Sequence, residues 1–249
     1  MLQIKILKYS QEYQRFNKLY MTTISIIIPC FNEENTIEKI VEKVLKVKNY
    51  KLEIIIIDDC SYDKTISILK EKISSKVSKI IYNKKNQGKG YCIREGIKIS
   101  SGDIILIQDA DLEYNPEDYP KLIDPILKDY ADVVYGSRFI GGNEKRVLFF
   151  WHSIANKMLT LFSNMFSDIN LTDMETCYKV FKSSLIKKIE LKENRFGFEP
   201  EVTAKIAKLK PRIYEVGISY YGRTYPEGKK IGLKDAFVAL KCILKYNLF

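Results

Sequence analysis

Three short, almost purely branched aliphatic runs constrain the fold of this chain more than any other feature. Residues 24–28, 54–57 and 104–107 are nearly all isoleucine. Each is too short for a buried helix and too apolar to alternate between core and solvent. Such runs read as strands buried on both faces, which occur in parallel sheets covered by helices. The intervening segments carry the helical period. Ile37, Ile40, Val41, Val44 and Leu45 follow i, i+3, i+4, i+7, i+8 spacing, and Ile66, Leu69 and Ile73 continue the theme. Further strands are expected at 79–82 and 133–135, and a helix at 91–99. Asn115-Pro116-Glu117-Asp118 has a capping side chain, Pro in first position and acids in the first turn, so a helix begins there. The predicted class is α/β: a mainly parallel open sheet with flanking helices.

Beyond Gly141 the pattern changes. Val147, Trp151, Ile154, Met158, Leu161 and Met165 step by three and four, one apolar face of a helix. A helix is expected near 200–209 and a strand near 212–219. Residues 233–249 read as a basic amphipathic helix with Phe237, Leu240 and Leu244 on its apolar side. The expected division is an N-terminal extension over 1–20, a domain over 21–231 and the C-terminal helix over 232–249.

In an open α/β sheet ligands bind beyond the carboxyl ends of the strands. Here those ends carry acids: Glu33 and Glu34 after the first run, Asp58 and Asp59 after the second, Asp109-Ala110-Asp111 after the third. Clustered carboxylates repel unless a cation or hydrogen-bond donors compensate them. All-oxygen ligands suit Mg²⁺ or Mn²⁺, and Mg²⁺ usually combines one or two carboxylates with substrate phosphates. Asp63 or Ser61 is a competing helix cap within the second cluster. Arg223 and the Lys229-Lys230 pair lie on a Gly-bearing loop after a strand, a composition suited to clamping phosphate.

Other chemistries fit less well. Gly88-Lys89-Gly90 begins like a dinucleotide fingerprint, but Ile93 stands where the third glycine belongs, and no GxxxxGK[ST] string exists. An aspartyl-phosphatase nucleophile resembles Asp109-Ala110-Asp111 but sits on a first strand rather than a fourth. His152 is the only histidine, which excludes a two-histidine zinc site. Five cysteines without a CxxC pair indicate neither a disulfide framework nor a zinc knuckle, and they fit a reducing cytosol. The first 20 residues lack a secretory h-region, and no run of about 18 apolar residues occurs.

Taken in order, SIIIPCFNEE, IIIIDDCSYDKT, NQGKG, ILIQDADLEYNPED, VVYGSRFIGG, LTDMETCYKVF, FGFEPE and YYGRTYPEGKK resemble the family 2 glycosyltransferases of GT-A fold. Within that family they are most similar to the dolichyl-phosphate mannose and glucose synthase-like group. The resemblance implies a transferase using a nucleotide-diphosphate sugar. Pro29, Phe31 and Glu33 would line the base pocket. Ile57 and Asp59 would hold base and ribose, with Asp58 nearby. Asp109 and Asp111 would bind the metal and the donor diphosphate, with Ala110 giving a backbone contact. Arg138, Arg223 and Lys229 would face phosphates, Asp173 would lie near the reacting sugar, and Glu201 matches a recurrent acid. Residues 174–178, Met-Glu-Thr-Cys-Tyr, depart from the corresponding strings of mannose and glucose synthases, so the sugar stays open. The implied acceptor is a polyprenyl phosphate, with a glycan hydroxyl as the rival and a non-catalytic nucleotide-sugar or polyanion binder as the alternative of another class. A hydroxyl acceptor would need a general base, for which Asp173 is the candidate.

The formal charge of +10 asks for an anionic partner. It is unevenly spread. Residues 1–20 carry net +3, residues 138–157 net +3 and residues 223–245 net +4, whereas 21–137 are slightly acidic. Phe149, Phe150 and Trp151 beside Lys145 and Arg146 look interfacial. Phosphate and an anionic membrane surface are therefore favoured as partners over nucleic acid, with the protein peripheral at the cytoplasmic face.

Overall fold

The computed structural model describes residues 22–48, 50–141, 144–147, 149–224, 227 and 232–248, without the side chains of 233 and 234. The expected N-terminal extension and Lys229 lie outside the described residues.

Among the described residues, seven strands form one sheet in the order β3-β2-β1-β4-β6-β5-β7. The first half alternates as its periodicity requires: β1 (Thr23–Cys30), α1 (Ile37–Leu45), β2 (Lys51–Asp58), α2 (Thr65–Ile68, continued by a π turn, Leu69–Ile73), β3 (Lys79–Tyr82), α3 (Lys89–Ile99) and β4 (Ile104–Ile107). β1, β2, β3 and β4 are mutually parallel where they pair. The isoleucines of β1, β2 and β4 are almost wholly removed from solvent and form the centre of the core. Asn115 caps a 3₁₀ turn (Pro116–Asp118) by accepting from Glu117 N, and α4 (Tyr119–Leu127) follows it.

β1 is central, yet Pro29 lies within it. The carbonyl of Ile27 accepts from Gln108 on the β4 side, and that of Cys30 accepts from Asp59 on the β2 side. Backbone groups alternate along a strand, so Pro29 faces the β4 side. Pairing with β4 has ended there, at Ile27↔Ile107. The missing N–H of proline thus costs no ladder bond. β1 and β4 are also where the chain turns from building one side of the sheet to the other, so a crevice opens beyond their carboxyl ends.

The second half departs from a purely parallel sheet. β5 (Val133–Ser137) and β7 (Ile213–Gly217) are parallel, but β6 (Lys179–Lys182) is inserted antiparallel between β4 and β5. No strand was expected there, because a four-residue run with a lysine at each end has no apolar signature. Its centre, Val180 and Phe181, is fully buried. A single helical turn, α6 (Ser183–Ile186), follows.

Helix α5 (Phe150–Ser167) carries apolar residues on its outer side as well as its inner one. Its stepping residues face outward: Trp151 is 77% exposed, Met158 52%, Leu161 65% and Met165 63%. On the inward side Thr160 and Ser163 are buried, and Leu159, Phe162 and Phe166 pack against the core. Thr160 accepts from Met174 N at 3.1 Å, and the Asn164 carboxamide bonds both the N–H and the carbonyl of Leu171. The stripe of Trp151, Met158, Leu161 and Met165 is therefore not the core-facing side. α7 (Phe198–Lys208) and α8 (Leu233–Leu248) pack beside it. α8 also differs from expectation: Ala239, Cys242, Ile243 and Tyr246 are its buried set, and Phe237 and Leu244 are exposed. Near Cys242 the start of α7 comes close. A Cβ on Gly197 would already lie 2.8 Å from Cys242 Sγ. Among the described residues no helix is long and apolar enough to cross a membrane.

Candidate active site

The loops after β1 and β2 are laced together by side chains. Asn32, with φ of 51°, places its N–H on Ser61 Oγ at 2.9 Å, and its Oδ1 accepts from Tyr62 N at 3.0 Å. Glu33 N donates to Thr65 Oγ1. Asp63 Oδ1 accepts from Thr65 N at the start of the next helix at 2.9 Å. Phe31 meets exposed Tyr62 edge-to-face at 5.9 Å. Pro29 and Ile57 are register partners buried beneath this mouth.

Asp58 and Asp59 are adjacent but differently engaged. Asp59 Oδ1 accepts from Asn83 Nδ2 at 2.8 Å and Gln87 N at 2.9 Å, and Oδ2 accepts from Gly88 N at 2.6 Å. It thereby shapes the Asn86–Gly90 loop. Asp58 is fully buried, with Oδ2 on Ser61 N and Oδ1 without a partner. Burial raises its pKa. Of the two, Asp58 has the acceptor oxygen to spare.

The Asn86–Gly90 loop needs its glycines. Gly88 has φ of 100°, and a Cβ on it would lie 2.4 Å from Asn194 O; one on Gly90 would lie 2.5 Å from Glu193 O. The opposing wall, residues 192–194, is pinned by Glu201. This fully buried carboxylate accepts from Lys192 N, Glu193 N and Lys205 Nζ. Glu201 thus shapes the site from behind.

The loop delivers Lys89, which motif reading left without a role. Its Nζ is 2.9 Å from Asp109 Oδ1 and 3.2 Å from Glu199 Oε1. Burial works against ionisation of Asp109, but the Lys89 ammonium keeps its pKa below the ordinary value. Gln108 fixes the backbone here. Its Nε2 donates to Asp109 O, and its Oε1 accepts from the hydroxyls of Tyr119 and Tyr178, both at 2.8 Å. Ala110 is buried between the two acids.

Asp111 faces the opposite cation. Arg223 Nη2 is 2.7 Å from Asp111 Oδ2, Nη1 is 3.4 Å from Glu33 Oε2, and its backbone N–H and Nε both reach Glu113 Oε1. Glu113 also accepts from Tyr220 OH at 2.7 Å. Burial, then Asp109 and Glu113, push the Asp111 carboxyl up to about 8 despite Arg223. Glu113 is a further residue that motif reading missed; only its place two positions after Asp111 marks it.

Arg138 and Asp173 form one unit. Nε and Nη2 of Arg138 reach the two Asp173 oxygens, both at 2.7 Å, and Arg138 N adds a bond of 3.0 Å. Asp173 is fully buried, and Glu215 holds its backbone N–H. The Arg138 guanidinium lies over the Tyr220 ring at 5.2 Å. Tyr220 therefore links the Arg138 side of the crevice to Glu113 and Arg223.

The residues suit a divalent cation in donor chemistry. Among the described residues no three His, Cys, Asp or Glu side chains stand ready to hold one unaided. Two carboxylates are what Mg²⁺ or Mn²⁺ takes from a protein when substrate phosphates complete its shell. Asp111, an acid whose neighbours leave it short of positive charge, fits that part.

Residues 25–190 match the family model described as Glycosyl transferase family 2. A dolichol-phosphate mannosyltransferase of Pyrococcus furiosus is 29% identical over 84% of this chain and 60% of its own length. A dodecaprenyl-phosphate galacturonate synthase of Rhizobium johnstonii is 24% identical over 91% of this chain and 67% of its own length. The chain thus spans about three-fifths to two-thirds of these curated relatives. Glucosyl-3-phosphoglycerate synthase of Mycobacterium tuberculosis, solved with Mn²⁺, uridine diphosphate and glucosyl-3-phosphoglycerate, superposes with a TM-score of 0.74. It shares 18% identity, over 94% of this chain and 83% of that one.

Proposed function

The chain belongs to glycosyl transferase family 2, and from that premise we propose that it moves a hexose from a nucleotide-diphosphate sugar to a polyprenyl phosphate, with inversion and with a divalent metal. The observation that carries this reading is the acid pair Asp109 and Asp111 at the end of β4, set between the cations Lys89 and Arg223. Asp109 and Asp111 would hold Mg²⁺ or Mn²⁺, which when bound supplies positive charge to the leaving diphosphate. The base and ribose lie over the β1 and β2 ends, with Pro29, Phe31, Glu33 and Ile57 as walls and Asp58 offering its spare oxygen. Lys89 and Arg223 orient the diphosphate.

A phosphate oxygen of the acceptor attacks the anomeric carbon as its bond to the diphosphate breaks, and the nucleoside diphosphate leaves. A lipid monophosphate has a second pKa of about 6 and is an anion at neutral pH, so it needs no general base. The commitment of both Asp173 oxygens to Arg138 favours that acceptor. Asp173 then acts by aiming Arg138 at phosphate. A sugar hydroxyl as acceptor would require the pair to open and free Asp173. The outward stripe of α5 supports peripheral contact with an anionic membrane at the cytoplasmic face. We place residues 21–231 in the catalytic domain.

The test is transfer from UDP- and GDP-hexoses with Mn²⁺ and a short polyprenyl phosphate. The expected product partitions into organic solvent. A labelled sugar found only on water-soluble glycan would replace the lipid acceptor. Full activity in Asp111→Ala, or in the presence of a chelator, would remove the metal from the reading.

A further inference from the structure

Tyr220 stands where three segments meet, and its main chain is held on both edges. On one edge its N–H donates to Glu144 O at 3.1 Å, and its carbonyl accepts from Arg146 N at 2.8 Å. On the other edge an antiparallel bridge joins it to Tyr114, and Tyr221 N donates to Glu113 O at 2.9 Å. The Tyr114 and Tyr220 rings lie 5.3 Å apart, and Tyr220 is buried. From this anchor the side chain serves two arginines by two different means. The face of the ring carries the Arg138 guanidinium at 5.2 Å, the stacking that a planar guanidinium favours. The hydroxyl donates to Glu113 Oε2 at 2.7 Å, and Glu113 Oε1 takes the backbone N–H and Nε of Arg223. Arg138 follows β5 and Arg223 lies beyond β7, so nothing in the chain's local course fixes their separation. One side chain touches the first and, through one carboxylate, holds the second.

We infer that Tyr220 is a positioning residue that sets Arg138 and Arg223 as a matched pair, so that two anionic phosphate groups can be held close together in the crevice. This rests on the proposed transfer to a phosphate acceptor and deepens it. In that reaction an anionic acceptor approaches a carbon still bonded to an anionic diphosphate. The two anions repel unless a cation stands at each. Placement matters as much as charge, because a shift of about 1 Å can cost about 10²-fold in rate. The ring aims the arginine of the acceptor and the hydroxyl that of the donor, so substitution separates the two. Tyr220→Phe keeps the ring beneath Arg138 and removes only the bond to Glu113. Tyr220→Leu removes both.

Calorimetric titration with UDP and GDP in the presence of Mn²⁺, and separately with a short polyprenyl phosphate, tests the pairing. Tyr220→Phe is expected to bind the nucleoside diphosphate that wild type takes about tenfold more weakly, with polyprenyl phosphate within about twofold of wild type. Tyr220→Leu is expected to weaken polyprenyl phosphate as well, by about fivefold or more. A tyrosine that only supports the fold would not split the two ligands between the two variants. Tyr220→Phe binding both ligands as wild type does, or weakening both equally, would overturn the pairing and leave the proposed function standing. Polyprenyl phosphate bound undiminished by Tyr220→Leu would overturn it too. Wild type that binds the nucleotides but no polyprenyl phosphate would overturn the lipid acceptor together with the pairing, and wild type that binds neither would overturn the whole reading. If Tyr220→Leu does not fold, Tyr220→Phe, which loses a single hydroxyl, decides alone.

Discussion

The guanidinium of Arg223 sits 2.7 Å from Asp111, on the carboxylate assigned to the metal. The same side chain touches Glu33 and Glu113, so one arginine balances three acids from two loops. If Asp111 holds the proposed divalent ion, Arg223 competes with that ion for its carboxylate in the absence of donor. Arg223→Ala is expected to raise Mn²⁺ affinity about tenfold without nucleotide and to lower transfer, since the diphosphate loses its cation. Mn²⁺ titration followed by electron paramagnetic resonance checks the first half; unchanged affinity would refute the competition.

Asp173→Asn separates two roles. If Asp173 aims Arg138 at an anionic acceptor, the variant raises KM for polyprenyl phosphate about tenfold with donor binding intact. If Asp173 is a general base, kcat falls by about 10²–10⁴ with KM little changed. Steady-state kinetics over acceptor concentration distinguish the two, and the first outcome is expected.

Lys89 is the counter-charge of two carboxylates at once. Removing one member of a buried pair leaves charge uncompensated, at a cost of about 3–5 kcal/mol. Lys89→Met should lose that much in urea unfolding. Adding Glu199→Gln should recover part of it, because one stranded charge is then gone.

Glu53 supplies a pH dependence away from the site. Burial alone would raise its pKa, but bonds from Ser25 Oγ at 2.5 Å and from Ser101 N and Oγ bring it down to about 2 from 4.5. A carboxyl lowered on folding stabilises fully above its unfolded value. That contribution is lost as pH falls from about 4.5 to about 2. Glu53→Gln should be less stable at pH 7 and show a flatter acid limb in urea midpoints measured across that range.

The outward apolar residues of α5 predict binding to vesicles rich in anionic phospholipid at low salt, weakening as salt rises. Phe150→Ser with Trp151→Ser should reduce flotation about tenfold while leaving thermal unfolding unchanged, since both side chains are exposed. Equal flotation of variant and wild type would exclude this helix as the contact.

The parallel half of the sheet was readable because its signal is local. The isoleucine runs mark β1, β2 and β4, and the acids that follow each run mark the crevice. What escaped depended on partners distant in sequence. Nothing near Lys179 announces that a lysine will be buried in β6. Asp59 looked like a ligand-binding acid, yet its oxygens go to Asn83, Gln87 and Gly88. Lys89 looked like part of a glycine turn until Glu199, from the far half of the chain, closed upon it. The stripe of α5 was legible as periodicity, but periodicity does not say which side faces the core.

The wall that Gly88 and Gly90 press against comes from residues 193–195, and Arg94 reaches Asn194 a hundred positions ahead of it. The order of synthesis therefore matters. A nascent chain can complete β1 to β4 and display Asp58, Asp59, Asp109 and Asp111 while Lys89 still lacks its backing. Contacts of such sequence separation form late in folding. Only when the segment around Asn194 is in place does Lys89 gain the backing that the proposed diphosphate site requires.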